Sequence, residues 1–483
     1  MNNSAANGLN VDAANETNVG ATSVTGCGDV QAVRDLVAFI RECPSMFHTA
    51  AAIRARLDAA GFAYLPESDA WDVRPGGCYY TVRNNSSVIA FKVGSQVEAG
   101  VRAGASEQAN APARLAPYRF QIAASHADSP TFKIKSVPEL DGPGGYLRLN
   151  TEVYGGAIDY TWFDRPLGVA GRVMVRRGAR VESRLFAPDC DVALVPSVAI
   201  HLNREVNASF SPKRNVDLCP LVSAGDLERG AFQRLVAREL GVEPGQVLGF
   251  DLFLVNRQAP AVWGAAGEFV SSPKLDDLGC AFVSLQAFLV AENERSVNVF
   301  ACFDNEEVGS NTKQGAMSTL LRDTLGRVNG ALGRSDEDLR RAIAGSFLVS
   351  CDNAHAVHPN RPELYDEGNR AYLNHGIVIK EAANQKYCTD AFSRAVFSAI
   401  CDDAGVPYQT FANRSDMVGG STLGNLSNTQ VSMHGVDVGL PQLAMHSSYE
   451  TAGARDVASG IAALAAFYRT DLRIDGADAA VLG

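Results

Sequence analysis

Apolar residues recur at helical spacing through "VQAVRDLVAFIREC" and "TAAAIRARLDAAG". Two helices are therefore predicted between Cys27 and about Ala60, with Gly61 closing the second. Runs of β-branched and aromatic residues follow. "CYYTVR", "SSVIAFKVG" and "YRFQIAAS" read as strands, the last running up to His126. From 131 to 261 the pattern shortens to alternating runs, "YLRLNTEVYGG", "IDYTWFD" and "GRVMVRRG". These predict antiparallel strands, with a helix in "LERGAFQRLVARELG". After 262 helix and buried strand alternate. "DLGCAFVSLQAFLVAEN" and "TDAFSRAVFSAICDDAG" read as helices, and "SVNVFACF", "AGSFLVSC" and "LPQLAM" as strands.

These textures predict an α/β layered domain built from 27–130 and 262–483, interrupted by a β-rich domain at 131–261. Residues 98–115 are Ala/Gly-rich without a period, and read as a surface insertion. Residues 1–26 hold no Lys or Arg and no apolar run. They are expected to be a disordered tail rather than a secretory signal. No stretch approaches the roughly 20 apolar residues of a membrane span. With 43 basic and 54 acidic residues the net charge is −11, which disfavours nucleic-acid backbones and anionic membranes as partners. None of the ten cysteines forms a C-x-x-C pair, so neither a thiolate zinc site nor a dithiol redox motif is indicated. Buried free thiols in a reducing cytoplasm are expected instead.

Five segments carry the candidate chemistry: "SHADSP" (125–130), "SPKLDDLG" (272–279), "DNEEVGS" (304–310), "SCDNAHAVHPN" (350–360) and "MHSSYE" (445–450). Four follow apolar strand runs and "LDDLG" opens a helix; sites in open α/β sheets are built at the carboxyl ends of strands. Zinc accepts imidazole nitrogen and carboxylate oxygen, and a pair of ions needs a bridging carboxylate with ligands on either side. Asp276 would bridge, His126 and Asp352 would complete one ion, and Glu307 and His446 the other. Glu306 then stands unligated as a general base, and Asp128 lies within reach of the His126 imidazole to orient it. Singly, each piece has a plain structural account. H-x-D is a common surface pattern, E-E a solvated face, Asp276–Asp277 a helix cap and His446 a core histidine. Their order and strand-end placement together favour the metal centre.

"HADSP", "LDDLG", "DNEEVGS", "CDNAHAVHPN", "GIVIK", "KYCTD" and "MHSSYE" closely resemble the M18 family, the aspartyl aminopeptidases, over about residues 30–470. The resemblance implies an α/β/α two-zinc exopeptidase domain interrupted by a β-rich dimerisation domain. It implies a homo-oligomer, a dodecamer built from dimers, that removes N-terminal Asp or Glu from peptides. The implied ligands are His126, Asp276, Glu307, Asp352 and His446, with Glu306 as base. By resemblance alone, Lys380 and Tyr387 bind substrate, His201 is lent to a neighbouring subunit's site, and "NRSDMVGGSTLGN" (413–425) is a glycine-rich loop near it. The chain departs from the family's pattern at Asp277, where Asn is expected, at Ile377, where Pro is expected, and at Tyr449, where Arg is expected. The last removes a positive charge beside His446 and bears on the acidic preference.

The alternatives are an aminopeptidase of broader or neutral specificity, and a related two-zinc amidase or deacylase. The latter usually carries its extra domain between the last two ligands, whereas here the long gap lies between His126 and Asp276. M42 aminopeptidases share that insertion point but lack the "AHAVHPN" and "GIVIK" texture. A non-catalytic protein on the same fold would have lost a ligand or the base, and none is missing. Mn2+ and Co2+ suit the same ligands as Zn2+.

Overall fold

The computed structural model describes residues 27–100 and 115–483. The expected tail at 1–26 lies outside the described residues, as does nearly all of the expected insertion at 98–115.

Both N-terminal helices form, at Cys27–Glu42 and Met46–Ala59. The second stops where Gly61 takes φ +81°, a left-handed conformation free of strain only for glycine. The apolar runs pair into a nine-stranded sheet ordered Ala63–Tyr64, Cys78–Arg83, Ser87–Val93, Val297–Phe303, Phe120–His126, Phe347–Cys351, His434–Gly439, Ile377–Glu381 and Tyr408–Ala412. Every residue of Phe120–His126, Val297–Phe303 and Phe347–Cys351 is buried. That explains their largely apolar sequence, since both faces are covered.

The period of two still sorts side chains between two cores. Phe300 and Cys302 share a cluster with residues of helices Cys27–Glu42, Met46–Ala59, Leu275–Val290, Ala391–Ala404 and Asp456–Arg469. Val299, Ala301 and Phe303 share another with residues of Leu320–Ala331 and Asp336–Ala344. The pattern did not single out these last two helices. The first carries Gly326 and Gly330, which weaken helical propensity, and the second is started by a capping box from Ser335 to Asp338.

Residues 131–256 build a separate core. Val247–Asn256 pairs with both Thr131–Asp141 and Pro166–Arg177, closing a ring that also contains Leu147–Tyr154, Leu221–Ser223 and Ala193–Leu194. All its pairings are antiparallel, as expected. Phe132, Leu149, Trp162, Val173, Leu252 and, from helix Ala231–Leu240, Phe232 and Val236 fill it. "IDYTWFD" is not a strand. It folds as a 3-10 turn at Asp159–Trp162, where the Thr161 N–H and hydroxyl both bond Ile158 O and Trp162 turns into the core.

A five-stranded sheet follows the order Ala261–Trp263, Phe269–Ser272, Glu450–Gly453, Pro441–Leu443 and Ala354–His355. For the site, the decisive feature is that Val297–Phe303, Phe120–His126 and Phe347–Cys351 lie side by side and parallel. Their carboxyl ends therefore share one edge. Among the described residues no helix is long and apolar enough to cross a membrane. Of the nine cysteines whose side chains are described, six are buried, Cys78 and Cys388 are half-buried, Cys190 is exposed, and all are free.

Candidate active site

His126 ends its strand, Glu306 and Glu307 follow the neighbouring one, and Asp352 follows the third. Asp276 lies at the irregular start of Leu275–Val290, and His446 lies beyond Pro441–Leu443. Both histidines are held alike. His126 Nδ1 lies 3.1 Å from Asp128 O, and His446 Nδ1 lies 3.1 Å from Gly156 O. With Nδ1–H given to a carbonyl, a neutral imidazole presents a bare lone pair at Nε2.

Those lone pairs face carboxylates. His126 Nε2 is 3.5 Å from Asp276 Oδ1, 3.9 Å from Asp352 Oδ1 and 4.0 Å from Asp277 Oδ2. His446 Nε2 is 3.4 Å from Glu307 Oε2 and 3.6 Å from Asp276 Oδ2. Asp276 Oδ1, Asp277 Oδ1 and Glu307 Oε1 are buried without a hydrogen-bond partner. Acceptors facing acceptors in a buried site are reconciled by a cation, and imidazole nitrogen with carboxylate oxygen suits zinc. Two groups emerge whose ligand atoms lie within 4.8 Å of one another: His126, Asp276, Asp277 and Asp352, and Asp276, Glu307 and His446. Asp276 belongs to both and turns one oxygen to each.

Electrostatics say the same. Burial pushes Glu307 well above the carboxylate range, and Asp276 adds to it while His126 opposes. Burial does likewise for Asp277, against His126. Burial also opposes the charge of Asp276, but His126 outweighs it and holds that pKa low. Glu306 is pushed up to about 8 by burial, with His126 opposing and Asp352, Asp128 and Asp276 adding. A cation among these groups lowers each of the raised values.

Asp277, expected to matter only as a helix cap or a departure from Asn, does neither job alone. Its Oδ2 accepts the His126 N–H at 3.1 Å and it joins the first ligand group. Asp128 does more than orient His126. Its Oδ1 lies 3.4 Å from Nδ1, but the same carboxylate accepts the N–H of Glu306 and of Glu307, each at 3.1 Å. It thereby holds the turn that carries Glu306 and Glu307. Glu450, quoted in "MHSSYE" without a role, accepts the N–H of Asp276 at 3.0 Å and of His446 at 2.7 Å. Tyr154, whose hydroxyl donates to Asp128 Oδ2 at 2.8 Å, had no local signal.

Lys380 is 1% exposed; its Nζ donates to Asp352 O at 2.7 Å and Asn353 O at 3.3 Å, and lies 5.2 Å from the Tyr387 ring centroid. Burial opposes its charge, but Asp352, Tyr387 and Asp437 outweigh burial and raise its pKa. Tyr387 is buried. The glycine-rich loop is tied in through Thr422, whose hydroxyl donates to Asp437 Oδ1 at 2.6 Å. His201 is exposed in the inserted unit, and no hydrogen bond or ion pair among the described residues joins it to the cluster. Val198, Ile200 and Leu202 beside it are 54%, 42% and 83% exposed. The Tyr449 hydroxyl donates to Ala259 O at 2.7 Å.

The family model described as Aminopeptidase I zinc metalloprotease (M18) matches residues 39–468. A probable M18 family aminopeptidase 2 of Clostridium acetobutylicum is 41% identical over 433 residues, covering 89% of this chain and 96% of its own. One of Pseudomonas fluorescens is 40% identical over 441 residues, covering 90% and 97%. Among solved structures, the Ape4 and Nbr1 complex superposes with a TM-score of 0.86 at 33% identity, over 93% of this chain and 87% of that one. The S. cerevisiae mApe1 dodecamer does so with 0.76 at 26%, over 91% and 96%. This chain is a zinc metallopeptidase by fold and site. It belongs to the M18 aminopeptidase family, and is therefore a hydrolase.

Proposed function

We propose that this protein removes the N-terminal residue, preferably Asp or Glu, from peptides, using two zinc ions per subunit. The observation that carries the two-metal reading is Asp276, which faces His126 with one oxygen and His446 with the other. His126, Asp276 and Asp352, joined by Asp277, would hold one ion; Asp276, Glu307 and His446 would hold its neighbour. When bound, such a pair supplies Lewis acidity that acidifies a water and polarises the scissile carbonyl. Glu306 accepts the proton of the attacking water on its carboxylate and returns it to the departing amine. Asp128 keeps the Glu306 main chain in place for this transfer. Lys380 and Tyr387 bind the substrate's N-terminal residue. His201 reaches the site of a second copy, in a homo-oligomer that the mApe1 dodecamer supports as the model assembly. The protein works in the cytoplasm.

A broader N-terminal preference is the second reading. Lys380 already gives two hydrogen bonds to main-chain carbonyls, and Tyr449 stands beside His446 in place of a cation. Elemental analysis together with kcat/KM for N-terminal Asp, Glu, Leu and Lys substrates tests both. Two zinc ions and a preference for Asp and Glu support the first reading. Equal rates on Leu support the second, and absence of hydrolysis by the zinc-loaded protein overturns both.

A further inference from the structure

The inserted β-rich unit reaches the metal centre through three consecutive residues, Tyr154, Gly155 and Gly156, at the end of Leu147–Tyr154. The Tyr154 hydroxyl donates to Asp128 Oδ2 and accepts from Asn305 Nδ2, each at 2.8 Å. Those partners bracket the base: Asn305 precedes Glu306, and Asp128 holds the N–H of Glu306 and Glu307. The Tyr154 ring is steadied from within the insertion by Phe253, edge to face at 5.4 Å.

The two glycines complete the contact. A Cβ on Gly155 would stand 3.1 Å from Glu307 Cβ, and one on Gly156 would stand 3.2 Å from His446 Nδ1. The same nitrogen lies 3.1 Å from Gly156 O. The rest of the insertion grips the His446 loop as well. Ile158 N–H donates to His446 O at 3.0 Å, the Ser448 hydroxyl to Thr161 O at 2.5 Å, and Asn256 Nδ2 to Ser448 O at 2.8 Å.

We infer that Tyr154–Gly156 is a positioning strap for the active site, supplied by the inserted unit. Tyr154 is a positioning residue for Glu306, acting through Asp128 and Asn305. Gly156 sets the tautomer and aim of His446, leaving Nε2 for the cation, and a Cβ at this position would crowd the His446 ring by a few tenths of an ångström. This inference rests on the two-metal reading above and adds that the insertion is part of the catalytic apparatus, whatever else it does.

Tyr154→Phe removes one hydroxyl and keeps the ring. Its kcat is expected to fall at least about tenfold, the scale seen for lost outer-shell partners, with KM within about twofold and zinc content, Tm and assembly size unchanged. In a Glu306→Gln background the same change is expected to cost less than about twofold, because the group it positions is gone. Gly156→Ala is read without activity. Zinc affinity, titrated against a chromophoric chelator, is expected to fall at least about tenfold for one of two ions. Wild-type kcat in Tyr154→Phe, equal losses in both backgrounds, or wild-type zinc affinity in Gly156→Ala overturns the inference. If Tyr154→Phe does not fold, Gly156→Ala decides. If metal-depleted wild type and Glu306→Gln both stay active, the two-metal reading has failed instead; if only the strap variants are silent, the strap alone has failed.

Discussion

Lys380 Nζ donates to the main-chain oxygen of Asp352, a candidate metal ligand, at 2.7 Å. An ammonium has three donors, and two are committed to carbonyls, so one remains for substrate. On the proposed function, Lys380→Ala costs kcat/KM for Asp substrates at least about tenfold more than for Leu substrates, as loss of a charge-assisted bond does. Equal losses on both would assign Lys380 to the scaffold of the Asp352 turn.

Asp276 divides its oxygens between two histidines, and metal stoichiometry should follow. Asp276→Asn is expected to lower the content of both ions. His446→Ala is expected to lose one and keep the ion held by His126, Asp277 and Asp352. Elemental analysis after dialysis reads the counts; equal depletion in the two variants would count against a bridging carboxylate.

Glu306→Gln keeps the ligand set and is expected to lower kcat by about 10²–10⁴, the range for a lost general base. Mixing it with His201→Ala tests assembly. If His201 acts across a two-fold interface, a mixed dimer has one site with both defects and one with neither, and activity partly returns. No recovery after verified subunit exchange would place His201 in its own chain's structure only.

His48 predicts a further acid sensitivity. Burial, aided by Lys274, lowers its pKa from 6.5 to about 4, with Ser45 Oγ 2.8 Å from its Nδ1. The unfolded chain therefore binds more protons than the fold between those values. The stability involved is complete above pH 6.5 and is lost as pH falls toward 4, by at most about 3 kcal/mol. Tm measured across this window should fall less steeply in His48→Gln than in the wild type. Parallel profiles would remove His48 from the account.

Much of the candidate site was legible before any fold was known. His126, Glu306, Glu307 and Asp352 stand at the ends of apolar runs, and a buried strand followed by a ligand-type residue is a local pattern. The α/β layer and the β-rich insertion were legible for the same reason, since burial on one or two faces dictates which residues recur and at what period. "IDYTWFD" misled because its apolar and polar residues alternate, while the turn there is fixed by bonds back to Ile158.

By itself, then, the sequence determined where the strands end and which candidate metal-ligating side chains wait there. The tertiary structure alone decided that Asp277 joins His126, that Glu450 holds the main chain of both Asp276 and His446, and that Tyr154 and Gly156 reach in from the insertion. Each of these contacts except the Glu450 bond to His446 joins residues 26 to 290 positions apart. A local pattern records only what neighbours along the chain require. Which distant groups meet is set by the packing of whole layers, and no residue announces that alone.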